Sequence, residues 1–239
     1  MENRKPWWIL VGGRQRLGRF LAERWAPERN LVLTSSRPWE GEADWLGAMS
    51  RTTEVRTLCW NAEDPCLVTR MAADMAALAE EGISFGNALV ASSTFPMASL
   101  GSWTPESLEA TWRMNLSFPF LVAQALAPRM TEGGCLQFLL DTAIHRPWLK
   151  RLPYSAAKSG LASLVPGLAQ VLAPRVRVVG HAIGVVMADE GSDPAFLASR
   201  SLLKRLGVPE DLDRAIRYAA DSPYLTGEIM TLDGGRRWV

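Results

Sequence analysis

Residues 7–11 are an unbroken apolar run, Trp-Trp-Ile-Leu-Val, that stops at Gly12-Gly13 and gives way within a few residues to Leu17-Gly18 and a stretch reading as a helix. A strand that is apolar at every position has to be covered on both faces, as a central strand of a parallel sheet is. A glycine-bearing turn between such a strand and a helix turns backbone N–H groups outward at the positive end of the helix dipole, where an anion such as phosphate is held. This junction points the chain toward an open α/β architecture.

The remaining pattern repeats it. The first predicted helix covers residues 17–25 and stops near Pro27. Residues 31–34 read as a second strand, followed by polar Ser35-Ser36-Arg37-Pro38, and residues 55–60 as a third. An alanine- and methionine-rich helix spans 66–81, a fourth strand covers 87–91, and a long helix over 105–130 is expected to jog at Pro119. A fifth strand at 136–140 places Asp141 at its C-terminal end. A helix carrying Tyr154 and Lys158 runs to about residue 172, with a kink expected at Pro166-Gly167 because an interior proline costs ~3 kcal/mol. Strands at 176–179 and 229–232 complete the set. Alternating strands and helices without repeats or linkers predict one α/β domain over 1–239, a doubly wound Rossmann-type sheet, mostly parallel and seven-stranded, with helices on both faces.

Composition narrows the function classes. A net charge of +1 gives no electrostatic case for nucleic acid or an anionic membrane. No apolar stretch approaches the ~20 residues that span a bilayer, and the run cut off at Gly12 is too short for a leader's apolar segment. Cys59, Cys66 and Cys135 are widely spaced, which reads as reduced, buried thiols in a cytoplasmic protein. His145 and His181 lie far apart without ligand-type neighbours, so no metal site is expected. Most of the ten tryptophans are expected to fill the core or an oligomer contact.

Tyr154 and Lys158 are i and i+4 on their helix and reach over one face. A phenol ordinarily titrates near pKa ~10; an ammonium one turn away favours the phenolate and brings it toward the working range. At the end of the second strand, Ser36-Arg37 offers a hydroxyl and a guanidinium suited to a 2′-phosphate, where a carboxylate would hold ribose hydroxyls instead. That pair favours NADPH over NADH.

With these residues in place, the sequence resembles the short-chain dehydrogenase/reductase superfamily from the Gly12 turn to Tyr224-Leu-Thr-Gly-Glu-Ile-Met-Thr-Leu-Asp-Gly-Gly235, and within it the pteridine reductase and dihydromonapterin reductase branch. Three details carry the branch. Arginine replaces the middle glycine of the turn, in Arg16-Leu17-Gly18. Asp141, thirteen residues before Tyr154, takes the usual serine position. Ala91-Ser92-Ser93 ends the fourth strand. The resemblance implies a homotetramer with substrate above the carboxyl ends of the strands. It implies Tyr154 as proton donor, Lys158 on the nicotinamide ribose, Asn115 holding a water that leads to the lysine, and Asp141 delivering or orienting the proton. Gly12, Leu17, Gly18, Ser36, Arg37, Asn61 and Gly184 would line the cofactor site, while Arg16 and Ser92 would meet both cofactor and pterin.

An ionised aspartate would repel a developing alkoxide, whereas a carboxyl that passes a proton suits reduction of a ring C=N. The expected activity is therefore NADPH-dependent reduction of a dihydropterin. Phe95 or Trp148 could stack on the flat ring, although Trp148 reads more simply as core or surface. Leu89 and Val90, in place of paired asparagines, and Ala182-Ile183-Gly184, in place of Pro-Gly, depart from the superfamily. Residues 185–200, with Asp189, Glu190, Gly191 and Asp193, read as a substrate lid or a passive loop; His145 and Lys150 are weaker substrate candidates. Two other functions stand beside this one: reduction of another carbonyl substrate (a 3-oxoacyl thioester or ketone), and non-catalytic dinucleotide binding, which has no need of Tyr154, Lys158 and Asn115.

Overall fold

β1 (Trp7–Val11) alternates between two apolar layers, sending Ile9 and Val11 to one side and Trp8 and Leu10 to the other. The structure, a computed structural model, describes residues 5–188 and 191–239. Around β1 lie β2 (Asn30–Ser35), β3 (Val55–Cys59), β4 (Phe85–Val90), β5 (Met130–Asp141), β6 (Val176–Ile183) and β7 (Glu228–Leu232). They form one seven-stranded sheet in the order β3-β2-β1-β4-β5-β6-β7, and every pairing among the described residues is parallel. The strand order reverses between β1 and β4, and the crevice outside their carboxyl ends is where such sheets take ligands.

The helices are α1 (Arg16–Trp25), α2 (Ala43–Ser50), α3 (Leu67–Glu80), α4 (Pro105–Trp112), α5 (Phe118–Leu126), α6 (Leu152–Leu172), α7 (Pro194–Ser199) and α8 (Pro209–Asp221). α3, α5 and α6 cover one face of the sheet; α1 and α8 cover the other. The expected α/β sheet is the one found. α2, α7 and α8 go beyond the sequence expectation, and of the three thiols expected to be buried Cys135 is, whereas Cys59 is half-buried and Cys66, at the N-cap of α3, is exposed. The helix expected over 105–130 is interrupted by a π-helical turn at Arg113–Ser117 and ends in a short turn at Ala127–Arg129. The jog falls at the π turn and not at Pro119, which sits at the start of α5 where a missing N–H is harmless. α6 is continuous across Pro166, and the proline lies on its exposed side, away from the packed face.

At the centre of the sheet three uncharged polar side chains replace apolar ones. Asn87 of β4, Gln137 of β5 and His181 of β6 are all fully buried. Gln137 donates to Asn87 Oδ1 at 2.5 Å and to the Ile216 carbonyl at 3.1 Å, and its own carbonyl oxygen accepts from His181 Nε2 at 2.5 Å. Burial pulls the His181 imidazole down to a pKa of about 4.

The direction of α1 is pinned from α8. Asp213, 3% exposed, accepts the indole N–H of buried Trp25 at 2.7 Å and the guanidiniums of Arg217 at 3.0 Å and Arg24 at 3.3 Å. Removing one carboxylate therefore strands a buried donor and a partly buried charge together. Asp213→Ala is expected to lower stability by about 3 kcal/mol, read as a fall in the urea midpoint with an unchanged denaturant slope.

Candidate active site

The turn after β1 is built on two close approaches. Gly12 has φ +94°, and a Cβ there would lie 3.1 Å from Ser92 N. A Cβ on Gly18 would lie 2.0 Å from the Gly12 carbonyl oxygen, so the first turn of α1 packs directly on the strand end. Arg16 takes the left-handed conformation, φ +51°, that the glycine of the usual pattern would adopt without cost. The N–H groups of Gly12 and Gly13 are both engaged, donating to the Thr34 carbonyl at 3.2 and 3.0 Å. The outward-facing donors expected of this turn are therefore those of Leu17 and Gly18, in the first turn of α1, whose N-cap Gln15 makes no side-chain capping bond.

From this turn a cleft of about 980 Å³ runs along the carboxyl ends of the strands. One end is lined by Ser36 and Arg37, the middle by Gly12, Arg16, Leu17, Gly18 and Ser92, and the other end by Phe95, Asp141, Trp148 and Arg151. Gly184 and Met187 form the facing wall, bridged by an Arg16 Nη2 bond to the Met187 carbonyl at 3.4 Å. An elongated cleft with a helix N-terminus at its middle fits a dinucleotide, and a guanidinium and a hydroxyl stand at one end. The sequence reading missed Glu42, which lines the same end and accepts from Arg14 at 3.2 Å and Arg19 at 3.3 Å. Asn61, expected in the cofactor site, does not line the cleft; Trp60 does, and Asn61 Oδ1 accepts from Glu63 N at 3.0 Å.

β5 and α6 bring Asp141, Tyr154 and Lys158 together. The Tyr154 hydroxyl donates to Asp141 Oδ2 at 2.9 Å, and Lys158 Nζ donates to the Leu139 carbonyl at 2.9 Å. Asp141 lines the cleft, whereas Tyr154 and Lys158 lie beneath its wall, 5% and 2% exposed. Burial, then the Asp141 charge, raises the phenol well above its ordinary pKa, with Ser93 and Arg151 pulling weakly the other way. This reverses the expectation that Lys158 draws Tyr154 toward neutrality. The ammonium is turned to Leu139, 5.8 Å from the phenol ring centroid, and desolvation outweighs it. Tyr154 is a neutral phenol, the form that donates a proton.

Asn115 is fully buried in the π turn. Its amide donates to Thr94 O at 3.0 Å, Thr94 Oγ1 at 3.2 Å and Thr111 O at 3.0 Å, and accepts from Ser93 Oγ at 2.6 Å. The side chain thus ties down the loop after β4. Ser93, unassigned from the sequence, donates to Asn115 Oδ1; the run Ser92-Ser93-Thr94 was its only signal. Phe95 meets Tyr154 edge to face at 4.7 Å, and the Arg151 guanidinium covers its ring at 3.5 Å while donating to its carbonyl. His145 and Lys150 do not line the cleft; His145 Nε2 contacts Thr231 Oγ1 at 3.2 Å. Within the expected lid, α7 is capped by Asp193, which accepts from Ala195 N and Phe196 N, and Gly191 is exposed; Asp189 and Glu190 lie outside the described residues.

Burial lowers Lys158 from its ordinary 10.5 to about 8, against the pull of Asp141. Between those values the unfolded chain holds a proton that the folded chain has released, so stability rises with pH. Urea unfolding of the ligand-free protein from pH 8 to 10.5 is therefore expected to show the wild type gaining on Lys158→Met as the pH rises.

A family model described as Enoyl-(Acyl carrier protein) reductase matches residues 19–237. Dihydromonapterin reductase of Klebsiella pneumoniae subsp. pneumoniae is 26% identical over 256 residues, covering 99% of each chain. Tropinone reductase-like 3 of Erythroxylum coca is 30% identical over 142 residues, a match that spans only 55% of either chain. Among solved structures, a blue fluorescent protein from a metagenomic library, in complex with NADPH, superposes with a TM-score of 0.87 at 21% identity over 99% of both chains. Taken with the parallel sheet and its strand order, the match across residues 19–237 makes this chain a member of the short-chain dehydrogenase/reductase family.

Proposed function

We propose that the chain is an NADPH-dependent pteridine reductase that takes a dihydropterin to its tetrahydro form, acting as a single cytoplasmic domain in a homotetramer. The observation that carries this reading is the 2.9 Å hydrogen bond from Tyr154 to Asp141, with the carboxylate and not the phenol facing the cleft. The full-length similarity to a dihydromonapterin reductase points the same way.

Leu17, Gly18, Ser36, Arg37, Ser92 and Gly184 would hold a reduced nicotinamide dinucleotide, which would supply the hydride when bound. The chain's own residues manage the proton. Asp141 presents its carboxylate to the cleft: as hydride reaches the ring, Oδ2 takes the proton of the neutral phenol bonded to it and hands it to the ring nitrogen, leaving Tyr154 as phenolate. Lys158, buried beside the ring, offsets the charge this leaves on Tyr154. An oxyanion forming about 4 Å from the carboxylate would instead meet a repulsion of roughly 4 kcal/mol, which disfavours simple ketones. Ser92 beside Gly12 and Arg16 across the cleft are placed to meet both ligands.

A substrate panel tests the reading. NADPH oxidation is expected with dihydropterins and not with 3-oxoacyl thioesters or ketones; the opposite pattern overturns the pterin assignment. Tyr154→Phe is expected to lower kcat by about 10²- to 10⁴-fold with NADPH affinity retained. Arg37→Ala is expected to weaken NADPH by about 10- to 100-fold, the value of a charge-assisted bond, and to leave NADH affinity unchanged, as measured by fluorescence titration.

A further inference from the structure

Trp148 sits in the loop between β5 and α6, half-buried, with its polar edge toward Asp141. Its indole Nε1–H donates to Asp141 Oδ1 at 3.0 Å, the oxygen that also accepts from Ala143 N at 2.6 Å. Two donors converge on Oδ1, and Oδ2 is left to Tyr154. An aspartate's terminal torsion is broad and roughly two-fold, so a single bond to Oδ1 would fix one oxygen while leaving the plane of the carboxylate free to swing. The second donor removes that freedom.

The indole is itself held in place. Its backbone N–H donates to Ser155 Oγ at 3.1 Å, and Ser155 Oγ donates to the Arg151 carbonyl at 3.2 Å, tying the loop to the first turn of α6. The Arg236 guanidinium, from the turn at Arg236–Trp238 after β7, lies 4.3 Å over the ring, and Phe95 meets it at 6.1 Å edge to face. A tryptophan present only to fill space does not need its N–H aimed at a carboxylate on the cleft wall.

We propose that Trp148 is a positioning residue that locks the Asp141 carboxylate with Oδ2 presented to Tyr154, and that Arg236 seats its ring. This rests on the reading that Asp141 takes part in proton delivery. Trp148→Phe keeps an aromatic ring and removes the N–H.

With dihydropterin, Trp148→Phe is expected to lower kcat about 10- to 100-fold, the loss expected for a hydrogen bond to a charged group, with KM and NADPH affinity within about two-fold. In an Asp141→Ala background the same substitution is expected to add nothing, because its route to the chemistry is gone. A readout independent of turnover is the indole Nε1–H resonance of Trp148 in the ligand-free protein, assigned by its disappearance in Trp148→Phe. It is expected to move when Asp141 is replaced by alanine. Additive losses in kcat, a resonance that stays in place, or an effect confined to KM would each overturn the proposal. If Trp148→Phe melts below the assay temperature, Trp148→His, which keeps a ring N–H, takes its place and is expected to retain more kcat than Trp148→Leu; equal losses overturn the proposal. Should the wild type turn over only thioesters or ketones, the pterin reading falls. Coupling between Trp148 and Asp141 on that substrate would still uphold the role given to Trp148.

Discussion

A lysine ammonium buried under the carboxyl edge of a sheet has to be met by something, and here it is met by a strand carbonyl. Lys158 Nζ binds Leu139 O at 2.9 Å, two residues before Asp141 on the same strand, and the Asp141 charge works against the desolvation. That contact sets β5 against α6. Once Leu139 is fixed to Lys158, the end of β5 lies under the first turn of α6, and Asp141 falls within reach of Tyr154. The loop of residues 142–151 then closes over the junction and brings Trp148 and Arg151 to the cleft. The Ser93–Asn115 bond draws the loop after β4 to the same place from the opposite side.

The cleft is polarised along its length. At the β2 end Arg37 stands beside a carboxylate, Glu42, already bridged by two guanidiniums. At the β5 end a carboxylate faces the cleft with a neutral phenol behind it. Guanidiniums thus line one end and a hydrogen-bonded carboxylate and phenol the other, with the first turn of α1 between them. The close approach of Gly18 to the Gly12 carbonyl makes that middle section rigid.

Much of this is legible in the sequence because it depends on neighbours in the chain. The strands of a parallel sheet covered on both faces advertise themselves as apolar runs, and Tyr154 and Lys158 share a helix face by spacing alone. The π turn at Arg113–Ser117 is not legible, since it coincides with contacts Asn115 makes to a loop twenty residues away. Nor is the direction of the Tyr154 shift: spacing reveals the lysine but not the burial that outweighs it. Trp148 reads as core or surface until Arg236, brought over it from the end of the chain, gives its ring a seat and Asp141 gives its N–H an acceptor. α8 is legible too, in Pro209-Glu210-Asp211 at its start and in Leu212, Ala215, Ile216 and Ala219 at helical spacing.

The polar ladder of Asn87, Gln137 and His181 makes part of the protein's stability depend on pH. His181 is neutral when folded down to a pKa of about 4, whereas a solvated imidazole takes up its proton near 6.5. The stability this lowered value contributes is complete above 6.5 and drains away as the pH falls toward 4, because the unfolded chain then binds a proton the core refuses. His181 thus makes one acid-labile contribution in the middle of the sheet, apart from the residues that line the cleft.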